Sequence, residues 1–256
     1  MNTFLLNNTK NYHKGCEVVA EYLINKYDVT DWRYTRDNLE GIDFSKYDRV
    51  VLNGEGTLHH NTRSARKQLT ALRLAQYAGC ETHLVNTVWQ EMANTWDDVL
   101  ANCKSVQVRE VLSQNEMSSK HGRLPTVAPD CSYLHDNVAV REFAHVAVYE
   151  GQYMKSNPYG VQGSYPRIDI FSQSWEEIVN RLRNCDLLIT GRHHEMYAAC
   201  VAECRFLVTP GNTWKNEGLL KSAGVGIPFD VDGALKGKYD DQYNRLWDYL
   251  RSFRTK

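Results

Sequence analysis

Residues 184–221 read NCDLLITGRHHEMYAACVAECRFLVTPGNTWKNEGLLK, and this stretch decides the fold class. The apolar run 186–190 has the length of a strand and ends at Gly191, after which apolar residues recur with helical spacing. A second apolar run, 206–208, stops at Pro210. The stretch is therefore predicted to be a βαβ unit with parallel strands and a right-handed crossover.

Arg192, His193 and His194 fall at the turn and first helical turn of this unit. The free N–H groups and the positive dipole end of a helix favour an anion at that place. A guanidinium binds carboxylate or phosphate through paired hydrogen bonds, and an imidazole can give up a proton near neutral pH. Each of these side chains alone is more often an ordinary surface residue. Together, at the carboxyl end of a strand where open α/β sheets bind ligands, they predict an anion site with a proton donor.

The same alternation runs through the rest of the chain and indicates an α/β fold with a doubly wound parallel sheet. The less regular stretch 130–144 predicts a boundary between an N-terminal Rossmann-like domain, residues 1–135, and a C-terminal one, residues 136–256. The last helix is a candidate to pack back on the N-terminal half, and Ser156–Arg167 is predicted to be a surface loop. Further strands are predicted at 3–7, 49–52, 83–86, 105–109, 125–129 and 145–149, and helices at 15–27, 63–77, 96–103, 110–120, 174–184, 215–223 and 240–254.

The composition is that of an ordinary globular protein, with 256 residues, 42% hydrophobic and 24% charged. A formal net charge of −1 provides no global basic field for nucleic acid. The sequence shows no membrane-spanning run and no signal peptide at its beginning, so a cytoplasmic location is expected. The seven cysteines include no Cys-x-x-Cys motif, which predicts reduced, mostly buried thiols and no metal site.

The residues that follow the turn complete a recognisable pattern. LLITGRHHEMYAA is followed by a strand, by Asn212 and then by Lys215-Asn216-Glu217-Gly218-Leu219. This order resembles the C-terminal signature of the polysaccharide pyruvyl transferase family, which has an Arg-x-His turn, a strand and a Lys near a Gly-Leu pair. The resemblance implies a GT-B-like fold, with two Rossmann-like halves facing a cleft, and phosphoenolpyruvate as donor without a cofactor or metal. It implies that His194 is the general acid or acid/base and that Arg192 is also catalytic, by stabilising developing charge. Arg192, His193, Asn212, Lys215 and Glu217 are implied to bind the donor.

Polar residues also follow other predicted strands. In Asn53-Gly54-Glu55-Gly56, predicted to be a turn, the glycines permit close backbone approach, and Glu55 is a candidate general base for an acceptor hydroxyl. Val108-Arg109-Glu110 resembles a family element, which implies that Arg109 binds the donor's carboxylate or phosphate. Asp130 resembles the family's Asp after the last strand of the first half, and is a second candidate base or a helix cap. The acceptor is predicted to meet Asn11, His13, Lys14, Gly54, His59 and Arg63.

Three functions remain open from the sequence. The first is pyruvyl transfer from phosphoenolpyruvate to saccharide hydroxyls. The second is a GT-B glycosyltransferase that uses a nucleotide sugar, because the chain is short for the family and residues 8–15 lack the family's frequent Gly-Asp. Phage enzymes that glycosylate a hydroxymethylated DNA base are one such class. Arg63, Arg66, Lys67 and Arg73, near one face of a predicted helix without acidic residues, could then hold DNA phosphates. The third is a non-catalytic binding module, which the presence of Arg109, Arg192 and His194 disfavours.

Overall fold

The structure, a computed structural model, describes residues 1–34, 37–135, 138–152, 165–226 and 230–254. The chain forms two compact units. Unit 1 contains Met1–Asn11 and Val19–Pro129, and unit 2 contains Tyr12–Val18 and Asp130–Lys256. The short segment at the start of the first helix therefore belongs to unit 2, although its sequence neighbours on both sides belong to unit 1.

Strands and helices alternate along both units. The strands are β1 (Thr3–Asn8), β2 (Val29–Tyr34), β3 (Arg49–Glu55), β4 (Glu81–Thr87), β5 (Ser105–Val108), β6 (Thr126–Val127), β7 (Val146–Glu150), β8 (Cys185–Thr190) and β9 (Arg205–Val208). The helices are α1 (Lys14–Tyr27), α2 (Arg63–Tyr77), α3 (Asp97–Asn102), α4 (Val111–His121), α5 (Cys131–Leu134), α6 (Trp175–Arg183), α7 (His193–Ala202), α8 (Lys215–Ser222), α9 (Val231–Leu235) and α10 (Asp240–Arg251). Short 3₁₀ helices cover Phe44–Lys46 and Asn94–Trp96.

Unit 1 is built on one six-stranded sheet in the order β2-β1-β3-β4-β5-β6, and every neighbouring pair is parallel. β1 is buried along its whole length, as expected where both faces of a parallel sheet are covered. The core of unit 1 contains the fully buried side chains of Phe4, Leu52, Leu72, Leu84 and Trp89. The predicted α/β class with parallel sheets is thus confirmed.

Unit 2 is built on the three-stranded parallel sheet β7-β8-β9. The predicted βαβ unit is confirmed: β8 and β9 pair in parallel, with Leu188 opposite Phe206, and α7 connects them. α10 belongs to this unit, where the Tyr243 hydroxyl donates a hydrogen bond to the Phe206 carbonyl. This arrangement brings the carboxyl end of β8 and the first turn of α7 together, where the sequence predicted the anion site.

Several element predictions need correction. β3 continues through Glu55, so Asn53 and Gly54 end a strand and do not form the predicted turn. β2 was not predicted, because VTDWRY pairs on one side only, at the sheet edge, and lacks a clear apolar alternation. Most of the predicted loop, residues 156–164, lies outside the described residues. No helix in the described ranges is long and apolar enough to cross a membrane.

Candidate active site

The end of β8 leads directly into Arg192, His193 and His194, which the sequence predicted to be functional. β8 ends at Thr190, and the Thr190 hydroxyl oxygen accepts the backbone N–H of Arg192 at 2.9 Å. Arg192 is the N-cap residue of α7, with extended backbone angles, and His193 is the first helical residue. The strand end therefore fixes where the helix begins and which side chains its first turn presents.

His194 and Asp130 form an ion pair when the imidazole is protonated. Their Nε2 and Oδ1 atoms lie 3.6 Å apart, and both side chains are buried. Asp130 is also the N-cap of α5, where its carboxylate accepts the Ser132 N–H at 2.9 Å. The Tyr197 hydroxyl accepts the backbone N–H of Asp130 at 3.1 Å. The sequence allowed either a base or a helix cap at Asp130, and the structure shows a cap that also contacts the imidazole.

A glycine allows α1 to approach His194 closely. A Cβ atom on Gly15 would lie 2.5 Å from Cβ and 2.6 Å from Cγ of His194, much shorter than any real contact. Both residues belong to unit 2, because Tyr12–Val18 groups with that unit. Gly15 therefore has a packing role against His194, which the resemblance of residues 8–15 to the family did not predict.

His13 lies edge-to-face against His194, with ring centroids 4.9 Å apart. Its Nδ1 accepts the Cys16 N–H at 3.3 Å, and its Nε2 lies 3.4 Å from the Cys16 Sγ. Burial, together with the neighbouring positive charges of His194, Arg192 and Lys215, lowers the pKa of His13 to about 2, although Asp130 opposes the decrease. The His13 imidazole is consequently neutral at all ordinary pH values.

The Arg192 guanidinium is half-buried and stacks on an aromatic ring. Its Cζ lies 4.6 Å from the Phe171 ring centroid, and its Nε donates to the Gln152 side-chain oxygen. Phe171 also meets the rings of Tyr12 and His13 edge-to-face, at 6.3 and 5.7 Å. The cation–π contact with Phe171 and the hydrogen bond to Gln152 together hold the guanidinium in place.

The other predicted donor-binding residues of unit 2 are divided between buried and exposed positions. His193 is buried, with its Nδ1 3.0 Å from the Asn216 side-chain oxygen and its ring edge-to-face on Tyr197 at 4.8 Å. Lys215 donates to the exposed Asn212 side-chain oxygen at 3.1 Å, and Glu217 is half-buried in the first turn of α8. The contacts of His193 give it a structural role in the packing of α7 on α8. Donor binding by Asn212, Lys215 and Glu217 stays a prediction.

Glu195 was not singled out from the sequence, although it directly follows His194. Its carboxylate is fully buried and accepts the Thr190 hydroxyl and the Gln152 N–H, the latter at 3.0 Å. Burial raises the pKa of Glu195 to about 7, although the Thr190 and Gln152 hydrogen bonds oppose the increase. An acidic residue directly before the apolar part of the predicted helix was the available sequence signal.

In unit 1, Glu55 ends β3 with a left-handed backbone, φ 42°. Its carboxylate is buried and accepts the Asn53 side-chain N–H at 3.4 Å. A Cβ on Gly54 would lie 2.1 Å from the Thr87 hydroxyl oxygen, so only glycine lets β3 and β4 pack here. The glycine at this position is therefore explained by packing within unit 1, and its predicted contact with an acceptor stays a prediction.

Three buried asparagines near Glu55 were missed by sequence reasoning. The Asn86 side-chain N–H donates to the Asn53 side-chain oxygen at 3.1 Å, and the Asn7 side-chain N–H donates to the Asn53 carbonyl. Asn7 and Asn86 have left-handed backbones, with φ 62° and 52°. Non-glycine residues in this region are uncommon and cluster at functional sites. An asparagine at or near the end of three neighbouring strands was the signal in the sequence.

Arg109 directly follows β5 in unit 1 and is almost completely buried. Its backbone N–H donates to the Thr87 carbonyl at 2.9 Å. Glu110 is the N-cap of α4, accepting the Leu112 and Ser113 N–H groups at 2.6 and 3.1 Å, and burial raises its pKa. Arg109 thus belongs to unit 1, whereas Arg192 and His194 belong to unit 2, and the predicted meeting of the three remains untested.

The remaining predicted acceptor residues have diverse surroundings. Asn11 and Arg63 are exposed, and the Lys14 ammonium pairs with Glu17 at 2.8 Å. His59 Nδ1 lies 2.9 Å from Nδ1 of the next histidine. The predicted basic face of α2 is partly engaged within unit 1, because Lys67 donates to the Asp37 carbonyl and Arg73 donates to the Asp98 carboxylate at 2.6 Å.

His13, Cys16 and His194 together form a buried group of side chains that can ligate metals. One candidate ligand atom from each lies within 4.8 Å of the others. The Cys16 N–H that points at His13 Nδ1 leaves the proton of a neutral ring on Nε2, the atom that faces the sulfur. This hydrogen bond therefore disfavours His13 as a ligand in the observed conformation.

The polysaccharide pyruvyl transferase family model matches residues 11–210, which contain the His13, Asp130, Arg192 and His194 positions. The chain belongs to this family. The family resemblance of the Arg192-His193-His194 turn is thereby confirmed. No curated protein matches the chain.

Solved structures with low sequence identity share the fold of this pyruvyl transferase family member. An uncharacterized protein from Klebsiella pneumoniae has a TM-score of 0.63 at 12% identity, covering 90% of this chain and 93% of its own. The UDP-GlcNAc 2-epimerase from Neisseria meningitidis, bound to UDP-GlcNAc, has a TM-score of 0.56 at 9% identity, covering 100% and 98%. A spinosyn rhamnosyltransferase has a TM-score of 0.52 at 10% identity, covering 99% and 97%. These similarities establish the predicted GT-B-like α/β fold.

Proposed function

We propose that this protein is a pyruvyl transferase that moves the enolpyruvyl carbons of phosphoenolpyruvate onto saccharide hydroxyls and releases phosphate. The observation that carries the proposal is the buried His194–Asp130 pair beside the half-buried Arg192, in a chain of the polysaccharide pyruvyl transferase family. An imidazole held against a carboxylate supplies a proton, and a stacked guanidinium binds a dianion.

The first chemical step is protonation of the donor's methylene carbon by His194. This converts the CH₂ group into a methyl group and leaves positive charge on the adjacent carbon, which still carries carboxylate and phosphate. Asp130 stabilises the imidazolium form and fixes the ring orientation. Arg192 and Lys215 contribute positive charge to the donor-binding part of unit 2.

Two hydroxyl groups of the saccharide then attack the same carbon in turn. The first addition forms one C–O bond, and the second replaces phosphate, which leaves with the bonding electron pair. The product is a ketal that retains the carboxylate. Each hydroxyl loses one proton. One of these two protons replaces the proton that His194 gave to the methylene carbon, and the other is taken up by the released phosphate or by the base. In unit 1, Glu55 is the candidate base for an acceptor hydroxyl.

The decisive experiment combines purified protein, phosphoenolpyruvate and a panel of mono- and oligosaccharides. We expect phosphate release that depends on the saccharide, and a pyruvyl ketal detected by mass spectrometry. His194→Gln should lower the rate about 10²- to 10⁴-fold, the range of a lost general acid. His145→Gln is the matched control, because His145 lies on the surface of the same unit in an exposed ion pair with Asp186.

Donor identity is tested separately by thermal shift. Phosphoenolpyruvate should raise the melting temperature, and UDP-glucose and UDP-N-acetylglucosamine should not, because a ligand stabilises only the protein that binds it. Stabilisation by the nucleotide sugars alone, together with UDP release, would overturn the proposal in favour of glycosyl transfer. Stabilisation by none of them, with His194→Gln folding normally, would indicate a binding module.

A further inference from the structure

We propose that two neighbouring histidines of unit 2 have different chemical roles: His194 carries the transferable proton, and His13 is a fixed neutral hydrogen-bond donor for an anionic oxygen of the donor substrate. This inference deepens the proposed function. Only the identity of the bound oxygen rests on that function, and the protonation of His13 does not. The inference rests on where His13 lies relative to α1, on the groups around its ring and on its contact with Cys16.

His13 is the residue that begins α1. Its carbonyl accepts the Glu17 N–H at 3.0 Å, the first bond of the helix, and its Nδ1 accepts the Cys16 N–H at 3.3 Å. A side-chain atom that accepts the third helical N–H is the usual arrangement of an N-cap residue. Here the acceptor is an imidazole nitrogen, so its lone pair is already occupied by the backbone. A neutral ring must therefore carry its hydrogen on Nε2.

The surroundings of His13 disfavour a second proton. The ring is buried, and the end of a helix that bears free N–H groups repels positive charge. Three cationic or titratable groups, His194, Arg192 and Lys215, act on it in the same direction, and Asp130 is the opposing negative charge. His194 differs because Asp130 lies 3.6 Å from its Nε2. The carboxylate therefore stabilises positive charge on one histidine while its neighbour stays neutral.

The donor hydrogen on Nε2 points to a weak acceptor. Nε2 lies 3.4 Å from the Cys16 Sγ, and sulfur accepts hydrogen bonds poorly. A phosphate or carboxylate oxygen forms shorter and stronger charge-assisted bonds, so it would compete effectively for this hydrogen. A neutral donor also gives up no proton to the anion that it binds. This combination suits an oxygen that gains negative charge as phosphate leaves.

The tautomer can be measured without any activity assay. In protein labelled with ¹⁵N-histidine, long-range proton–nitrogen spectra distinguish a nitrogen that bears hydrogen from one that does not. We expect His13 to show a protonated Nε2 and an unprotonated Nδ1, unchanged from pH 5 to pH 9, with its signals assigned by their loss in His13→Gln. The exposed His145 provides the reference signals of a surface imidazole in the same spectra. Cys16→Ala should keep the same tautomer, because the backbone N–H that fixes it remains.

The activity measurement separates hydrogen bonding from proton transfer. His13→Leu should lower turnover about 10²- to 10³-fold, as when one donor to a developing oxyanion is removed. His13→Gln, which keeps an N–H group near Nε2, should recover a large part of this loss, and neither variant should move the pH dependence of the rate. His194→Gln should abolish that dependence.

Three outcomes would overturn the assignment. One is titration of His13 between pH 5 and pH 9. Another is hydrogen on Nδ1 in the spectra. The third is stoichiometric binding of Co²⁺ with a thiolate charge-transfer band that disappears in Cys16→Ser, since a metal at this cluster would require the His13 lone pair. If the protein does not transfer pyruvyl groups, the spectra still decide the tautomer, so the two failures are distinguishable.

Discussion

The two units present different chemistry at the ends of their parallel strands. In unit 1, the ends of β1, β3 and β4 carry the neutral amides of Asn7, Asn53 and Asn86, with one carboxylate, Glu55. In unit 2, the end of β8 and the start of α7 carry imidazoles, a guanidinium and the buried Glu195. Amides form directional hydrogen bonds without net charge, whereas guanidinium and imidazole groups are able to bind anions and imidazoles are able to move protons.

The units also hold their polar groups in different ways. Unit 1 uses backbone strain, because Asn7, Glu55 and Asn86 all have positive φ. Unit 2 uses close packing and burial, seen in the approach of Gly15 to His194 and in the raised pKa of Glu195. Substitutions in unit 2 should therefore change activity and the pH dependence of stability, whereas substitutions in unit 1 should change stability without changing its pH dependence.

The largest effect is expected for Gly15→Ala. Alanine inside a helix is normally more stable than glycine by about 1 kcal/mol. Here the new methyl group would lie 2.5 Å from the His194 Cβ, so either the imidazole or the first turn of α1 must move. A displacement near 1 Å in a catalytic group costs about 100-fold in rate. We expect this loss in saccharide-dependent phosphate release.

The control for this prediction is Gly226→Ala in the same unit. Gly226 is exposed, and a Cβ there would approach only the end of the Gln242 side chain, at 3.3 Å. It should leave the rate and the melting temperature nearly unchanged. An active Gly15→Ala variant would mean that the position of His194 does not control the reaction.

A smaller effect is expected for Glu195→Gln, and it is a gain in the free energy of unfolding. The carboxyl has a folded-state pKa of about 7 against an ordinary value of 4.5. Because the folded-state value is raised, its contribution to stability is complete below pH 4.5 and is lost as the pH rises to 7. This loss is about 3 kcal/mol. The glutamine side chain of the variant cannot ionise and therefore avoids this loss of stability. It places an N–H group, however, where one oxygen of Glu195 has no hydrogen-bond partner among the described residues. We therefore expect a gain of about 2 kcal/mol at pH 8.

Urea unfolding at pH 5 and pH 8 measures this directly. The wild-type protein should lose stability between the two values, and Glu195→Gln should lose less. Asp98 of unit 1 is the contrasting carboxylate, because hydrogen bonding to Arg73, which stays charged over this range, lowers its pKa below the ordinary value of 3.8. Its contribution to stability is present above pH 3.8 and is lost as the pH falls further, so Asp98→Asn should not change the slope between pH 5 and pH 8. Equal slopes for wild type and Glu195→Gln would contradict the burial argument.

The sequence was most informative where a regular pattern met a chemically distinctive residue. The βαβ unit around His194 follows from apolar runs and a glycine, and Asp130 could be chosen because it follows a strand. Gly15 and Asn86 could not be interpreted this way. The role of Gly15 depends on its contact within unit 2 with His194, which lies far away in sequence, and positive φ at Asn86 depends on its neighbours in the sheet. β2 was missed because an edge strand keeps polar residues that obscure its periodicity.

The smallest effect is expected for Asn53→Ala in unit 1. The Asn53 side chain accepts from Asn86 at 3.1 Å and donates to the Asn7 carbonyl at 3.3 Å and to Glu55 at 3.4 Å. The two bonds that Asn53 donates are long and contribute little. Loss of the Asn53 side chain also leaves one buried Asn86 N–H without this acceptor, and we expect a cost of about 1 to 2 kcal/mol. Because the amides of unit 1 suit hydroxyl groups, we also expect a higher KM for the saccharide with an unchanged KM for phosphoenolpyruvate. Asn115→Ala, on a helix of the same unit, is the control for stability. If Asn53→Ala raised the KM for phosphoenolpyruvate instead, the amides of unit 1 would bind the anionic donor, and the contrast between the units would be lost.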